Sequence, residues 1–146
     1  MTLNRKWLPT LADLIDRMSI HQLKEVFIPE NKDVYEREMN DIGHDIDILI
    51  SEKDIKMSGD MVRAIVILSQ INTHIWYNES KVRKGESQDL NLLKLTHGLN
   101  GIRNKCMNII KYKTGEGDRL DFKIDCLAAE FKDWQISFFN NIENYK

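Results

Sequence analysis

Apolar residues recur at spacings of three and four along five stretches of the chain, and each stretch is preceded by proline or glycine. Pro9 precedes the first, Pro29 the second, Gly59 the third, Gly85 the fourth, and Gly115 with Gly117 the fifth. The first stripe is Leu11, Leu14, Ile15 and Met18, continued by Leu23 and Phe27 as it drifts round, with Thr10 placed to cap it. The second is Tyr35, Met39, Ile42, Ile46 and Leu49, and the third Ala64, Leu68, Ile71, Ile75 and Val82. Leu92, Leu95, Leu99, Ile102, Cys106 and Ile109 form the fourth; Leu120, Ile124, Leu127, Phe131, Trp134 and Phe138 form the fifth. No segment alternates with period two for long enough to make a strand, and the connections are short. The pattern predicts an all-α fold, an up-and-down helical bundle of about five helices. The third and fourth helices, roughly 25 residues and therefore roughly 38 Å each, would be its long central pair.

Composition narrows this further. A length of 146 residues with 42% apolar content supports one core, so residues 1–146 are expected to form a single domain. Lys and Arg total 21 against 23 Asp and Glu, which removes the basic excess of a general nucleic-acid binder. No apolar run approaches a bilayer span and no apolar leader opens the chain, so no membrane association and a cytoplasmic setting are expected. Cys106 and Cys126 lie in helical patterns and read as reduced structural thiols. His21, His44, His74 and His97 include no local zinc motif, and nothing in the sequence names a cofactor.

Charge is segregated along the chain. Residues 30–60 hold ten acids and four bases, whereas residues 61–113 hold nine bases and three acids. Either the acidic second helix lies over the basic central pair as a solvated, self-complementary surface, or the basic pair lines an anion site.

Residue spacing bears on that choice. On the third helix a second stripe, Ile65, Ser69, Asn72, Trp76, Glu79 and Arg83, runs about 40° round from the apolar one. The fourth carries Leu93, His97, Asn100, Asn104, Met107 and Lys111, with Arg103 on its flank. The first supplies Asp13, Arg17, Ile20 and Lys24 on one face, with Asp16 and Ser19 beside it. Burying such groups without partners costs a few kcal/mol each, so their position next to the core demands a partner or a ligand. If the three helices converge, Arg17, Lys24, Arg83 and Arg103 would hold an anion, Asn72, Asn100 and Asn104 would orient it, and Trp76 would stack on a ring. The expected ligand is an anionic small molecule: a phosphorylated metabolite, nucleotide or nucleotide sugar. Should chemistry follow, Glu79 or His97 would be the catalytic general base.

The competing structural reading is a buried salt-bridge network that fixes helix register, with Glu79 paired to Arg17 or Arg103 and the asparagines bonding backbone. Gly98 and Gly101, costly inside a helix, fit either an opening for a ligand or a close approach of two helices. Trp7 and Trp134 read as packing residues. Phe138, Phe139, Ile142 and Tyr145 make an apolar tail, packed on the bundle or offered to a second chain in a homodimer. Acidic pairs such as Asp13 with Asp16 and Glu38 with Asp41 have the spacing by which all-helical nucleoside triphosphate pyrophosphatases hold magnesium. Seven such pairs occur in the chain, so the spacing is unspecific.

Three stretches resemble an uncharacterised family of small helical proteins from bacteria and their tailed phages. They are L-A-D-L-I-D-R-M-S-I-H-Q-L-K at residues 11–24, I-N-T-H-I-W-Y-N-E-S-K-V-R at 71–83 and L-T-H-G-L-N-G-I-R-N-K-C-M-N-I-I at 95–110. The resemblance implies a helical bundle and a phage accessory protein in the cytoplasm of an infected cell, and it implies no activity. Alternatives to metabolite binding are a non-enzymatic phage effector, sequestering a host signalling nucleotide or occluding a host protein with the acidic helix, and a metal-dependent pyrophosphatase.

Overall fold

The structure, a computed structural model, describes residues 3–85, 90–116 and 136–139. It is all-α: the described residues form helices α1 (Leu11–Phe27), α2 (Lys32–Glu52), α3 (Gly59–Arg83) and α4 (Leu90–Lys113), with a 3-10 turn at Pro29–Asn31 and no strand among them. The fifth expected helix falls outside the described residues except at its end, where residues 137–139 form a short 3-10 turn. Cys126, Trp134, Ile142 and Tyr145 also lie outside them. None of the described helices is long and apolar enough to cross a membrane.

Local chemistry sets the helix limits. The Thr10 hydroxyl accepts the Asp13 amide at 3.2 Å while the Asp13 carboxylate accepts the Thr10 amide at 3.0 Å, a reciprocal cap on α1. The next orphan donor, the Leu11 amide, is taken from across the fold by the Glu116 carboxylate at 3.0 Å. Pro29 bars its predecessor from helical geometry, so Ile28 turns to φ −127° and α1 stops. Ser58 caps α3 through the Met61 amide. Gly85 and Gly115 close α3 and α4 at φ +69° and +77°, a region that side chains with a Cβ resist.

Helices α1, α3 and α4 converge on one core, with α3 and α4 as the longest-paired elements. Leu11, Leu68, Ile71, Leu99, Cys106, Ile109 and Ile110 are wholly or almost wholly buried, each contributing about 2 kcal/mol of transfer free energy. Gly98 and Gly101 are buried as well. The α2 stripe is shallower. Only Ile42 is buried, while Ile46, Leu49 and Ile50 reach the edge of the core.

Helix α2 packs along α1 and not over α3 and α4, which corrects the expectation that its acids would cover the basic central pair. A three-residue turn joins α1 to α2, so the two fold back as a hairpin before either meets another element. For the tail, the packed alternative holds at the two aromatic residues the structure describes. Phe138 and Phe139 are half-buried against the core, with the Arg63 guanidinium 5.1 Å from one ring and the Lys105 ammonium 5.8 Å from the other. Those two rings therefore pack within the chain.

Burial pushes the Cys106 thiol up to about 12. Between its ordinary value of 9.0 and about 12 the unfolded chain loses a proton that the folded chain keeps, so stability falls as pH rises through that window. Urea unfolding at pH 8 and pH 10.5 should show a steeper alkaline loss in the parent than in Cys106→Ala, by up to about 1.4 kcal/mol per pH unit. Equal slopes would mean that the thiol ionises freely in the folded protein.

Candidate functional site

Around Asp16 the three converging helices form a polar knot beside the core. The Asp16 carboxylate, only 6% exposed, accepts Arg103 Nε at 2.9 Å and Arg103 Nη2 on its two oxygens. It also accepts the Asn72 amide at 2.9 Å, and the same amide nitrogen reaches Ser19 Oγ at 3.3 Å. The hydrogen bonds from Arg103 to Asp16 hold the guanidinium above its ordinary range. Burial opposes this, and the negative charges of Asp16, Glu79 and Asp13 add to it. A fork of two parallel hydrogen bonds between α4 and α1, tied by Asn72 to α3, sets the register of all three helices.

The register-fixing network therefore exists, with a different carboxylate from the one expected. Glu79 pairs instead with Arg83, one turn along α3 at 3.6 Å, and Asn72 bonds side chains instead of backbone. Asp16 prevails because α1 crosses α3 and α4 at the level of Asn72 and Arg103, two turns short of Glu79 on α3.

Beyond the knot, the helices part into a cleft of about 520 Å³. Ile20, Leu23 and Ile28 from α1 and the residues after it, with Ile75 and Trp76 of α3, give it an apolar side. Lys24, Asn72, Glu79, Ser80, Arg83, Asn100 and Arg103 supply the polar groups. Trp76 is stacked against Phe27, with centroids 6.2 Å apart and planes inclined by 24°, which holds its orientation. Lys24 stands 5.9 Å from the Tyr35 ring, and Arg83 at the rim is 81% exposed. Seven of the ten candidate site residues thus line one cavity.

The other three do not line it. His97 is exposed and lies on neither this cleft nor its neighbour, which removes it as a general base for a molecule bound here. Asn104 is half-buried and also off both linings. Arg17 is exposed and faces a second cleft. Gly98 and Gly101, buried but absent from both linings, fit the close approach of helices and not an opening for a ligand.

The second cleft, about 630 Å³, runs along the earlier turns of α1 and shares Ile20, Lys24 and Arg103 with the first. Trp7 forms part of its wall while 70% exposed, contrary to the expectation of a packing residue. His21 lies there too. Its Nδ1 donates to the Arg17 carbonyl at 3.0 Å, because a carbonyl only accepts, and its Nε2 shares a 2.5 Å hydrogen bond with Glu38 Oε2 from α2. Sequence reasoning had given neither residue a part in a site. The signal for Trp7 was its position ahead of the Pro9–Thr10 helix start, outside any apolar stripe.

Among the described residues no group of three or more His, Cys, Asp or Glu is arranged to hold a metal ion. Three of the four acids weighed for magnesium have other partners, Asp13 in the Thr10 cap, Asp16 in Arg103 and Glu38 in His21. No family model, curated protein or solved structure matches the chain.

Proposed function

We propose that this protein binds a phosphorylated small molecule, a nucleotide or nucleotide sugar, in the cleft between α1, α3 and α4. One observation carries the reading: a single cavity is lined by an indole and aliphatic side chains together with an ammonium, two guanidinium groups and two carboxamides. Those are the two halves of a nucleotide's surface, a flat apolar ring and an oxyanion. Lys24 and Arg103 meet the anion from the inner side and Arg83 from the rim. Asn100 and Ser80 serve sugar hydroxyls or a base edge, and Trp76 serves the ring. Asn72 is reassigned to holding Asp16. Glu79 is the carboxylate within reach of a bound molecule, and its pairing with Arg83 favours binding over proton transfer as its role. Binding without turnover agrees with the accessory part that the resemblance to phage proteins implies.

Thermal melts with AMP, GMP, UDP-glucose and inorganic phosphate test this. A ligand present at a hundred times its Kd should stabilise the fold by about 2.7 kcal/mol, a rise of roughly 5–10 °C for a domain of this size. Lys24→Ala, which removes a half-buried cation outside the Asp16 knot, should weaken that ligand about tenfold. A parent protein that neither shifts in the melt nor releases heat with any of the four has no such site.

A further inference from the structure

We propose that the site is double, and that its ligand carries two nucleoside rings joined through a short phosphate bridge; this rests on the anion-binding reading of the first cleft and extends it. The two clefts adjoin, because Ile20, Lys24 and Arg103 line both. Together they follow α1 from the level of Asp13 to that of Ile28, about 22 Å at the helical rise. A mononucleotide fills one lobe of that groove and leaves the other to water.

Ring-binding and anion-binding groups alternate along it. Trp76, braced by Phe27, stands in the first lobe and Trp7 in the second. Trp7 is 70% exposed on its cleft wall, where an indole can stack on a ring. Lys24 and Arg103 sit at the junction, where a bridge between two rings would carry its negative charge. Arg103 uses two of its five N–H donors on Asp16, which leaves a fixed guanidinium edge for a phosphate oxygen. Arg17 and Arg83 extend the positive line to either side. The carboxylates in the groove already have protein partners: Asp16 has Arg103, Asp13 has the Thr10 cap and Glu79 has Arg83.

Two separate mononucleotides would compete for the same pair of junction cations, whereas one bridged ligand uses them once. Covalent joining of the two halves also makes the second ring's binding intramolecular, which raises affinity without a new contact.

Isothermal titration calorimetry on the full chain decides it, using AMP and GMP against the diadenosine and diguanosine diphosphates in which a pyrophosphate joins the two nucleosides. The bridged compound of the preferred base should bind at one per chain and about tenfold or more tighter than its mononucleotide. Trp7→Ala should return the bridged compound to the mononucleotide's affinity and leave the mononucleotide unchanged. Trp76→Ala should weaken both. Trp7 is too exposed for its removal to unfold the domain, and circular dichroism of the variant checks this. Mononucleotides that bind as tightly as the bridged compounds, or a Trp7→Ala effect equal on both, overturn the double site while sparing the first cleft. Binding of none of the four overturns the double site, and if UDP-glucose and inorganic phosphate also fail in the thermal melts the first cleft falls with it.

Discussion

Replacing Arg103 by Leu should cost about 3 kcal/mol of folding stability, whereas the same replacement at Arg83 should cost less than about 0.5 kcal/mol. Both changes keep helix propensity and bulk while removing a charged fork. They differ in what is left behind. Arg83 is 81% exposed and its partner Glu79 is 46% exposed, so water takes over both charges. Arg103 leaves Asp16 with only Asn72 to satisfy a carboxylate that has 9% of its side chain exposed. For a domain of this size the loss corresponds to a fall of roughly 6–12 °C in Tm. Adding Asp16→Leu to Arg103→Leu removes the stranded charge, so the double variant should be more stable than the sum of the two single losses predicts. Urea unfolding of the parent, the three single variants and the double variant measures this. Equal costs at Arg103 and Arg83 would show that the Asp16 knot does not hold the helices in register.

Glu116→Ala is expected to be nearly as damaging, at about 2–3 kcal/mol, although Glu116 lies outside every helix. Its carboxylate, 4% exposed, receives the Leu11 amide at 3.0 Å and the Thr114 hydroxyl at 3.0 Å, and faces the Lys53 ammonium at 3.6 Å. It therefore joins the start of α1 to the end of α4 and to the residue that follows α2. Gly115 makes this possible, because its left-handed backbone turns Glu116 back so that the Glu116 amide bonds the Lys111 carbonyl at 2.8 Å. Without the carboxylate the Leu11 amide is a buried donor with no acceptor, and α1, the cleft's apolar wall, is released at its first turn. Glu116→Gln keeps an acceptor oxygen and should cost less than half as much. Amide hydrogen exchange gives the sharper reading: Glu116→Ala should raise exchange in the first two turns of α1 more than elsewhere. A uniform rise across all helices, or none, would mean that the α1 terminus is held by other groups.

These two expectations mark the division between what was legible in the residues and what was not. Thr10, Pro29, Ser58, Gly85 and Gly115 act on their own backbones, through caps, ring sterics and positive φ, so helix limits could be read from neighbouring residues alone. The apolar stripes named the core on α1, α3 and α4 for the same reason, since 3.6 residues per turn fix the angle of a side chain about its own helix axis. That angle was also enough to gather Lys24, Asn72, Trp76, Glu79, Arg83, Asn100 and Arg103 toward one cleft. It says nothing of how far one helix slides along another. A slide of two turns, about 11 Å, decides whether Arg103 meets Asp16 or Glu79. The slide is set by the sum of many packing contacts and by long-range ties such as Glu116 to Leu11, 105 residues apart. Trp7 shows the same limit from outside a helix: with no periodicity to orient it, only the folded chain made it the wall of a second cleft.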